Sequence, residues 1–140
     1  MLELALNYKK GTIFLKDIAI EEEISGKYLS QLMIPLKASE LIVSSRGAHG
    51  GYRLAKDPSF ITIKDIVQTL EGNLSPVECV HNPSVCNRVS NCTARQIWEM
   101  LDDKIAETLN SITLDDLVES QKNSQKTNSL FKNIEENKKI

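Results

Sequence analysis

The sequence predicts a mainly α-helical protein with a small β-hairpin and a long helix toward its C-terminus. Several short segments carry apolar residues at three- and four-residue spacing, which is typical of helices packed on a core. A glycine-rich turn separates two short apolar runs, which is typical of a β-hairpin. A longer segment carries apolar residues at seven-residue intervals, as in a helix that packs along a partner helix.

The N-terminal segments predict three helices. MLELALNYKKG has Leu2, Ala5 and Leu6 at helical spacing and stops at Gly11, and FLKDIAIEEE and ISGKYLSQLMIPLKASEL follow as two further helices. Ser25 is a suitable N-cap for the last of these. Because only a few residues separate the second and third helices, they form a predicted helix-turn-helix.

The next segments complete the first predicted domain, residues 1–72. LIVSSRGAHGGYRLAK predicts the hairpin, with glycines 47, 50 and 51 in its turn. ITIKDIVQTLEG predicts a short helix with Thr62 as its N-cap and Gly72 at its end. Helix, turn, helix and hairpin in this order predict a winged helix-turn-helix, in which the hairpin is the wing.

The distribution of charge favours DNA as a partner. The chain has a net charge of only -2, but residues 27–56 hold five cations against one anion, and residues 99–119 hold seven anions against one cation. Surface lysines and arginines are often merely solvated. On a winged helix-turn-helix, however, a basic segment of this kind predicts contact with DNA phosphates.

The predicted recognition helix begins near Ser25, and its first turns are the part that reaches base edges. These turns present Lys27, Tyr28, Ser30 and Gln31. A glutamine can pair with adenine, a serine with several bases, and a lysine with guanine or phosphate.

The wing is the second predicted DNA contact. Arg46 lies at the tip of the hairpin, where a cation can enter the minor groove. His49, in the same turn, is expected to touch DNA or water.

All three cysteines lie in one polar loop, CVHNPSVCNRVSNC, within the predicted loop region 73–93. Their spacing, Cys79-x6-Cys86-x5-Cys92, is too long for a zinc knuckle and suits a loop around a multi-iron cluster. The loop also offers His81 and Glu78 as candidates for a fourth ligand, and His81 is a weak one. Three unrelated reduced thiols are the alternative.

The chain contains neither a secretory signal nor an apolar run long enough to span a membrane, so we expect a cytoplasmic protein with no membrane partner. Cytoplasmic thiols stay reduced, which favours metal binding or redox activity over a disulfide framework.

The segment 94–120 predicts a dimerisation helix and a short following helix whose N-cap is Thr113. Trp98, Ile105 and Ile112 repeat every seven residues. The apolar stripe forms either a dimer interface or ordinary core, and its residues are Ile97, Trp98, Leu101, Ile105, Leu109 and Ile112. Residues 121–140 are polar and predict a disordered tail.

These segments, with the three spaced cysteines, a tryptophan six residues after the last of them and LNSITLDDLV, resemble the Rrf-two (Rrf2) family of bacterial winged-helix repressors. The resemblance covers residues 1–120, and the RGAHGGYRLA wing and the cysteine trio are similar to the cysteine-containing IscR and NsrR branches. It implies a homodimer with crossing long helices that binds palindromic operators in double-stranded DNA.

The resemblance also implies roles for individual residues. Cys79, Cys86 and Cys92 match the thiols that hold a 2Fe-2S or 4Fe-4S cluster between the wing domain and the dimerisation helix. Further matches are the recognition-helix reading positions Lys27, Ser30 and Gln31 and the wing positions Ser44 and Arg46.

The chain departs from the family pattern in three places. In the IscR branch the fourth ligand is a histidine three residues after the last cysteine, whereas Arg95 stands there in this chain. The first cysteine spacing is slightly longer than usual. Family members begin earlier in the first helix, and in the nitric-oxide branch that segment supplies an acidic ligand from the other subunit. We therefore expect an incomplete N-terminus.

The sequence thus predicts a DNA-binding transcriptional regulator whose iron-sulfur cluster reports iron-sulfur status, redox state or nitric oxide. A cluster-free regulator with thiol or other effector sensing is the first alternative, and an iron-sulfur carrier or redox protein is the second. The sequence does not predict an enzyme, because it has no glycine-rich phosphate loop, no nucleophile-and-base motif and only two histidines.

Overall fold

The computed structural model describes residues 1–124. They form six helices and one two-stranded antiparallel sheet, which confirms the predicted fold class. In chain order the elements are α1 (Leu2–Leu6), α2 (Leu15–Glu21), α3 (Gly26–Ala38), β1 (Ile42–Ser45), β2 (Gly51–Leu54), α4 (Ile63–Glu71), α5 (Thr93–Asn110) and α6 (Leu114–Asn123). Short 3-10 turns occur at Pro58–Phe60, Glu78–Val80, Pro83–Val85 and Val89–Asn91.

Helices α2 and α3 form the predicted helix-turn-helix. The chain leaves α2 through Glu23, which has a positive φ of 53°, and the Ile24 amide donates to the Ala19 carbonyl over 3.0 Å. The Ser25 side chain then accepts a hydrogen bond of 3.1 Å from the Tyr28 amide, so Ser25 is the N-cap of α3. The recognition helix therefore starts at the predicted residue.

The wing is the hairpin of β1 and β2, paired in register from Ile42 opposite Leu54 to Ser45 opposite Gly51. Ile13 forms an isolated antiparallel bridge to Tyr52 of β2, because the backbone amide and carbonyl of Ile13 exchange hydrogen bonds of 2.9 and 2.8 Å with Tyr52. A side chain at Gly51 would overlap the Ile13 carbonyl, and the φ of Gly51 is +127°. Glycine is required at this position for the wing to lie against the segment before α2.

One hydrophobic core holds the N-terminal elements together. Its most completely buried side chains are Ile42, Leu54, Ile61 and Leu114. The core comes from α1, α2, α3, the hairpin and α6, and its members are Leu4, Ala5, Ile18, Ala19, Leu29, Met33, Leu36, Leu41, Ile42, Leu54, Ile61, Leu114 and Val118.

Helix α6 therefore packs with the winged domain, although the sequence grouped it with the dimerisation helix. Its start is fixed by a capping box between Thr113 and Asp116, and Leu114 and Val118 are buried against α1 and the turn after the wing. It continues to Asn123, past the predicted limit at residue 120. Residues 125–140 of the predicted tail lie outside the described residues.

Residues 73–110, here called the arm, comprise the cysteine loop and α5. No residue between 62 and 113 is buried. The arm contacts the rest of the chain mainly through the packing of α5 on α4. Backbone bonds from Ile63 to Ile112 (2.9 Å) and from Leu114 to Ile61 (2.8 Å) anchor its end beside the core.

Helix α5 ends two residues before the predicted Ile112. Ser111 is its C-cap, and the Ile112 carbonyl accepts the Ile63 amide instead of continuing the helix. Ile112 therefore lies in the connection to α6 and not on the helical stripe.

Among residues 1–124, no helix combines the length and apolar character needed to cross a membrane.

Candidate nucleic-acid interface and cysteine loop

The outer face of α3 carries the predicted recognition residues. Leu29, Met33 and Leu36 anchor the opposite face in the core, and this fixes the rotation of the helix. Lys27, Tyr28 and Gln31 are exposed, as a base-reading surface requires, and Ser30 is half-buried. The structure therefore places the four predicted residues in the N-terminal half of α3, on the side away from the core.

Two of the predicted serine contacts already have partners within the chain. The Ser30 hydroxyl donates to the Lys27 carbonyl over 2.8 Å, which leaves its oxygen free to accept. The Ser44 hydroxyl accepts a 2.7 Å hydrogen bond from the Lys37 ammonium. Since Lys37 lies near the end of α3 and Ser44 on β1, this bond ties the wing to the recognition helix.

The wing tip, residues 46–50, presents Arg46 and His49 to solvent. Behind the tip, the Thr12 hydroxyl lies 2.8 Å from the carbonyl oxygens of both His49 and Gly50. The base of the wing is therefore held by the chain before α2, and its tip is free to reach a ligand. Arg46 and the recognition helix belong to the same small domain.

The three thiols lie in the loop between α4 and α5. Cys79 and Cys92 are half-buried, Cys86 is exposed, and all three are free. Within residues 1–124, no group of three or more histidine, cysteine, aspartate or glutamate side chains is gathered tightly enough to hold a metal ion. Short 3-10 turns lie between successive cysteines of this loop.

Arg95 ties the start of this loop to α5. Its guanidinium forms an ion pair of 2.6 Å with Glu99, one turn along the helix. The same group donates to the carbonyls of Cys79 and Val80 over 3.4 and 3.5 Å. Arg95, which stands where the resemblance to the IscR branch implied a histidine, thus holds the backbone of the first cysteine.

His81, the weak candidate for a fourth ligand, makes a second tie. Its Nε2 lies 3.0 Å from a carboxylate oxygen of Asp102 on α5. The imidazole is therefore directed to the helix and not to a thiol. Glu78, the other candidate, opens the 3-10 turn that contains Cys79.

The donor set nevertheless fits an iron-sulfur cluster in its chemistry. Three thiolates are soft ligands of the kind that such clusters use. They lie in one loop, none of them is consumed in a disulfide, and the loop is at the surface, where it has room to fold around a multi-atom group. The chain presents three such ligands and no matching fourth.

Helix α5 exposes apolar side chains that a soluble monomer would bury. Ile97 is 65% exposed and Leu101 is 42% exposed, with Trp98 and Met100 beside them. Ile105 and Leu109, also predicted for the interface, are half-buried. Leu101, Ile105 and Leu109 line a shallow groove of about 350 Å³.

A polar pair lies along the same helix. The Lys104 ammonium donates to Glu107 over 2.6 Å, and this bond raises the pKa of Lys104 and lowers the pKa of Glu107. Lys104 and Thr108 complete the lining of the α5 groove. The groove therefore has an apolar floor and a polar edge, as a surface between two subunits often has.

Three residues of the site were missed from the sequence. Lys37 and Asp102 each bond to a residue on another element, so no periodic pattern within one helix could pair them. Arg95 was noted only as a departure from the family pattern.

A family model described as "Rrf2: Iron-dependent Transcriptional regulator" matches residues 1–120. The chain is 40% identical to the HTH-type transcriptional regulator CymR of Bacillus subtilis over 117 residues, which is 84% of this chain and 80% of CymR. It is 35% identical to the HTH-type transcriptional regulator IscR of Escherichia coli over 121 residues, 86% of this chain and 74% of IscR.

Solved structures of CymR and IscR also resemble this chain. The structure of B. subtilis CymR, described as the global cysteine regulator of that organism, superposes with a TM-score of 0.69 at 39% identity, covering 84% of this chain and 86% of CymR. The structure of T. potens IscR superposes with a TM-score of 0.73 at 32% identity, covering 93% of this chain and 85% of that protein. These relatives are named as transcriptional regulators and not as enzymes.

Proposed function

Because this chain belongs to the Rrf2 family of transcriptional regulators, we propose that it binds operator DNA as a homodimer under the control of an iron-sulfur cluster held by Cys79, Cys86 and Cys92. One observation carries the proposal. The loop that contains every thiol is tied by Arg95 and His81 to α5, the helix whose apolar face is exposed.

The recognition helix and the wing are the DNA-binding surface. Lys27, Tyr28, Ser30 and Gln31 enter the major groove, where Gln31 pairs with adenine and Lys27 with guanine or phosphate. Arg46 contacts the minor groove, with His49 beside it. Ser44 contributes chiefly by accepting from Lys37, which holds the wing at a fixed angle to α3.

The exposed apolar face of α5 supports a homodimer. A single winged domain reads only a short half-site, so pairing two chains doubles the contacts and imposes a two-fold symmetric operator. Burying Ile97, Trp98 and Leu101 against a second copy removes apolar surface from water. The crossing of the two α5 helices then sets the distance between the recognition helices.

Control arises from the connection between the loop and this crossing. When bound, the cluster would supply bonds to the three thiols, which do not form one metal-binding group in the described loop. The chain's own residues transmit the change: Arg95 and His81 couple the position of residues 79–81 to α5. A coupling free energy of about 1–3 kcal/mol is enough to change operator affinity by one to two orders of magnitude. We place this regulator in the cytoplasm.

A cluster-free thiol regulator is the second candidate, and the exposure of Cys86 favours it. An exposed thiol is open to oxidation, and the relative CymR is described as a cysteine regulator. In this case an oxidant changes DNA binding of the iron-free protein. An iron-sulfur carrier is the remaining alternative, and it does not require Lys27 or Arg46.

The test uses a DNA duplex selected from a randomised library by the anaerobic protein. We expect the affinity of the iron-loaded and iron-free proteins for this duplex to differ about tenfold, and we expect Cys86→Ser to abolish the difference. Ser90→Ala, in the same loop, is the control and keeps it. Equal affinities for both forms of the wild type would reject cluster control, and an oxidant response without iron would favour the second candidate.

A further inference from the structure

We infer that Ile34 is a specificity-determining residue of the recognition helix and that its side chain reads the 5-methyl group of a thymine in the major groove. This inference rests on the proposed function, because it assumes that α3 enters DNA. It adds a hydrophobic contact to the polar ones. No other residue of α3 combines a branched apolar side chain with a comparable exposure.

The exposure of Ile34 is unusual within its own helix. Its side chain is 63% exposed, whereas Leu29, Met33 and Leu36 of the same helix are buried in the core. A single exposed isoleucine is common on protein surfaces and needs no ligand. Its meaning therefore depends on the face of α3 to which it belongs.

Helical spacing places Ile34 on the reading face. It follows Gln31 by three residues and Lys27 by seven, so these three side chains form one row along the helix. All three are exposed. The rise from Gln31 to Ile34 is about 4.5 Å, somewhat more than the spacing of adjacent base pairs. Ile34 therefore lies opposite a base pair next to the one that Gln31 reaches.

The wing lies beside the same row. Lys37 follows Ile34 by three residues and donates to Ser44 of β1 over 2.7 Å. Ile34 is thus located between Gln31, which reads bases, and a lysine that contacts the wing. Ile34 therefore shares the exposed face of α3 that carries Gln31 and Lys37.

The chemistry of the groove selects thymine as the partner. The major-groove edge of thymine carries a 5-methyl group, and aliphatic side chains contact it without hydrogen bonds. Isoleucine cannot pair with the donors and acceptors of the other bases. Burying one methyl group changes affinity about fourfold.

The experiment has two stages, both with the full chain. A randomised duplex library is first used to select the preferred half-site of the wild type, and failure to enrich any sequence would reject the proposed function itself. Each recurrent thymine of the selected duplex is then replaced by deoxyuridine, which removes only the methyl group. We expect one such position per half-site to weaken wild-type binding about fourfold.

The variants decide whether Ile34 is responsible. Ile34→Ala should bind the thymine and deoxyuridine duplexes equally. Ile20→Ala is the matched control, because Ile20 is 74% exposed on the neighbouring helix α2 and lies outside the row. It should keep the fourfold preference. The inference is overturned if no deoxyuridine substitution weakens wild-type binding, or if Ile34→Ala retains the full preference for thymine.

Discussion

The winged domain and the arm are stabilised in different ways. The domain buries side chains from α1, α2, α3, the hairpin and α6 in one core, whereas residues 73–110 bury none. The arm contacts the domain mainly through the packing of α5 on α4, and its polar ties, such as His81 to Asp102, hold its own loop to α5. The difference indicates that the domain is stabilised by its own core. Under the proposed function, the arm gains further stability from a partner chain and a bound cluster.

The largest predicted effect is on the free energy of unfolding, which should depend on core packing in the domain but not in the arm. Leu54→Ala should lower the free energy of unfolding by about 3 kcal/mol, because Leu54 is 1% exposed and its loss leaves a cavity. The matched substitution in the arm, Leu101→Ala, should cost less than about 1 kcal/mol when measured below the dissociation constant of the proposed homodimer. Urea denaturation measures both. Equal losses would contradict the division between domain and arm.

The next effect concerns the exposed face of α5. Leu101→Asp should weaken the homodimer about 30-fold, because it places a charge in an apolar interface and costs about 2 kcal/mol. Sedimentation velocity over a dilution series measures the dissociation constant. Asp103→Ala, on the opposite side of α5, is the control and should leave it unchanged. A dimer that tolerates Leu101→Asp would show that the subunits meet elsewhere.

The polar ties of the arm predict a smaller effect. Arg95→Ala removes the bonds to the Cys79 and Val80 carbonyls, so iron should be lost to a chelator about tenfold faster. Hydrogen exchange of residues 79–81 should rise in the same variant. Arg88→Ala, an exposed arginine of the same loop, is the comparison and should behave as wild type. Identical rates for both variants would mean that Arg95 does not position the loop.

The smallest effect compares two helix caps. Thr113→Ala should lower the free energy of unfolding by about 1 kcal/mol, because Thr113 caps α6, which belongs to the core. Thr62 caps α4 with the same kind of capping box, but α4 has no buried residue. Thr62→Ala should therefore fray α4 locally with a smaller change in global stability. Thermal unfolding and hydrogen exchange distinguish the two, and a larger global loss for Thr62→Ala would reverse the assignment.

The sequence predicted the elements of the winged domain well because each has a local signal. Ser25 and Thr62 cap the helices that were predicted to start there, and the glycine-rich turn lies between the two strands as expected. The role of α6 could not be predicted in this way. Its apolar pattern is equally compatible with packing on α5. The three-dimensional structure is needed to show that Leu114 lies in the core with Ile61.

The candidate site was predicted unevenly for the same reason. The exposure of Lys27 and Gln31 follows from helical periodicity, and the grouping of the thiols follows from their position in one loop. The bonds of Lys37 to Ser44 and of His81 to Asp102 join residues that are distant in the sequence or on different elements. Periodicity carries no information about such pairs.

The most direct test of the cluster-controlled regulator is an absorption spectrum of the full chain purified without oxygen, with iron and sulfide counted per chain. We predict visible charge-transfer bands and matched iron and sulfide, all lost when Cys79, Cys86 and Cys92 are replaced by serine. A colourless protein without iron, unchanged after reconstitution with iron and sulfide, would contradict the account and leave a DNA-binding regulator whose thiols act without a cluster.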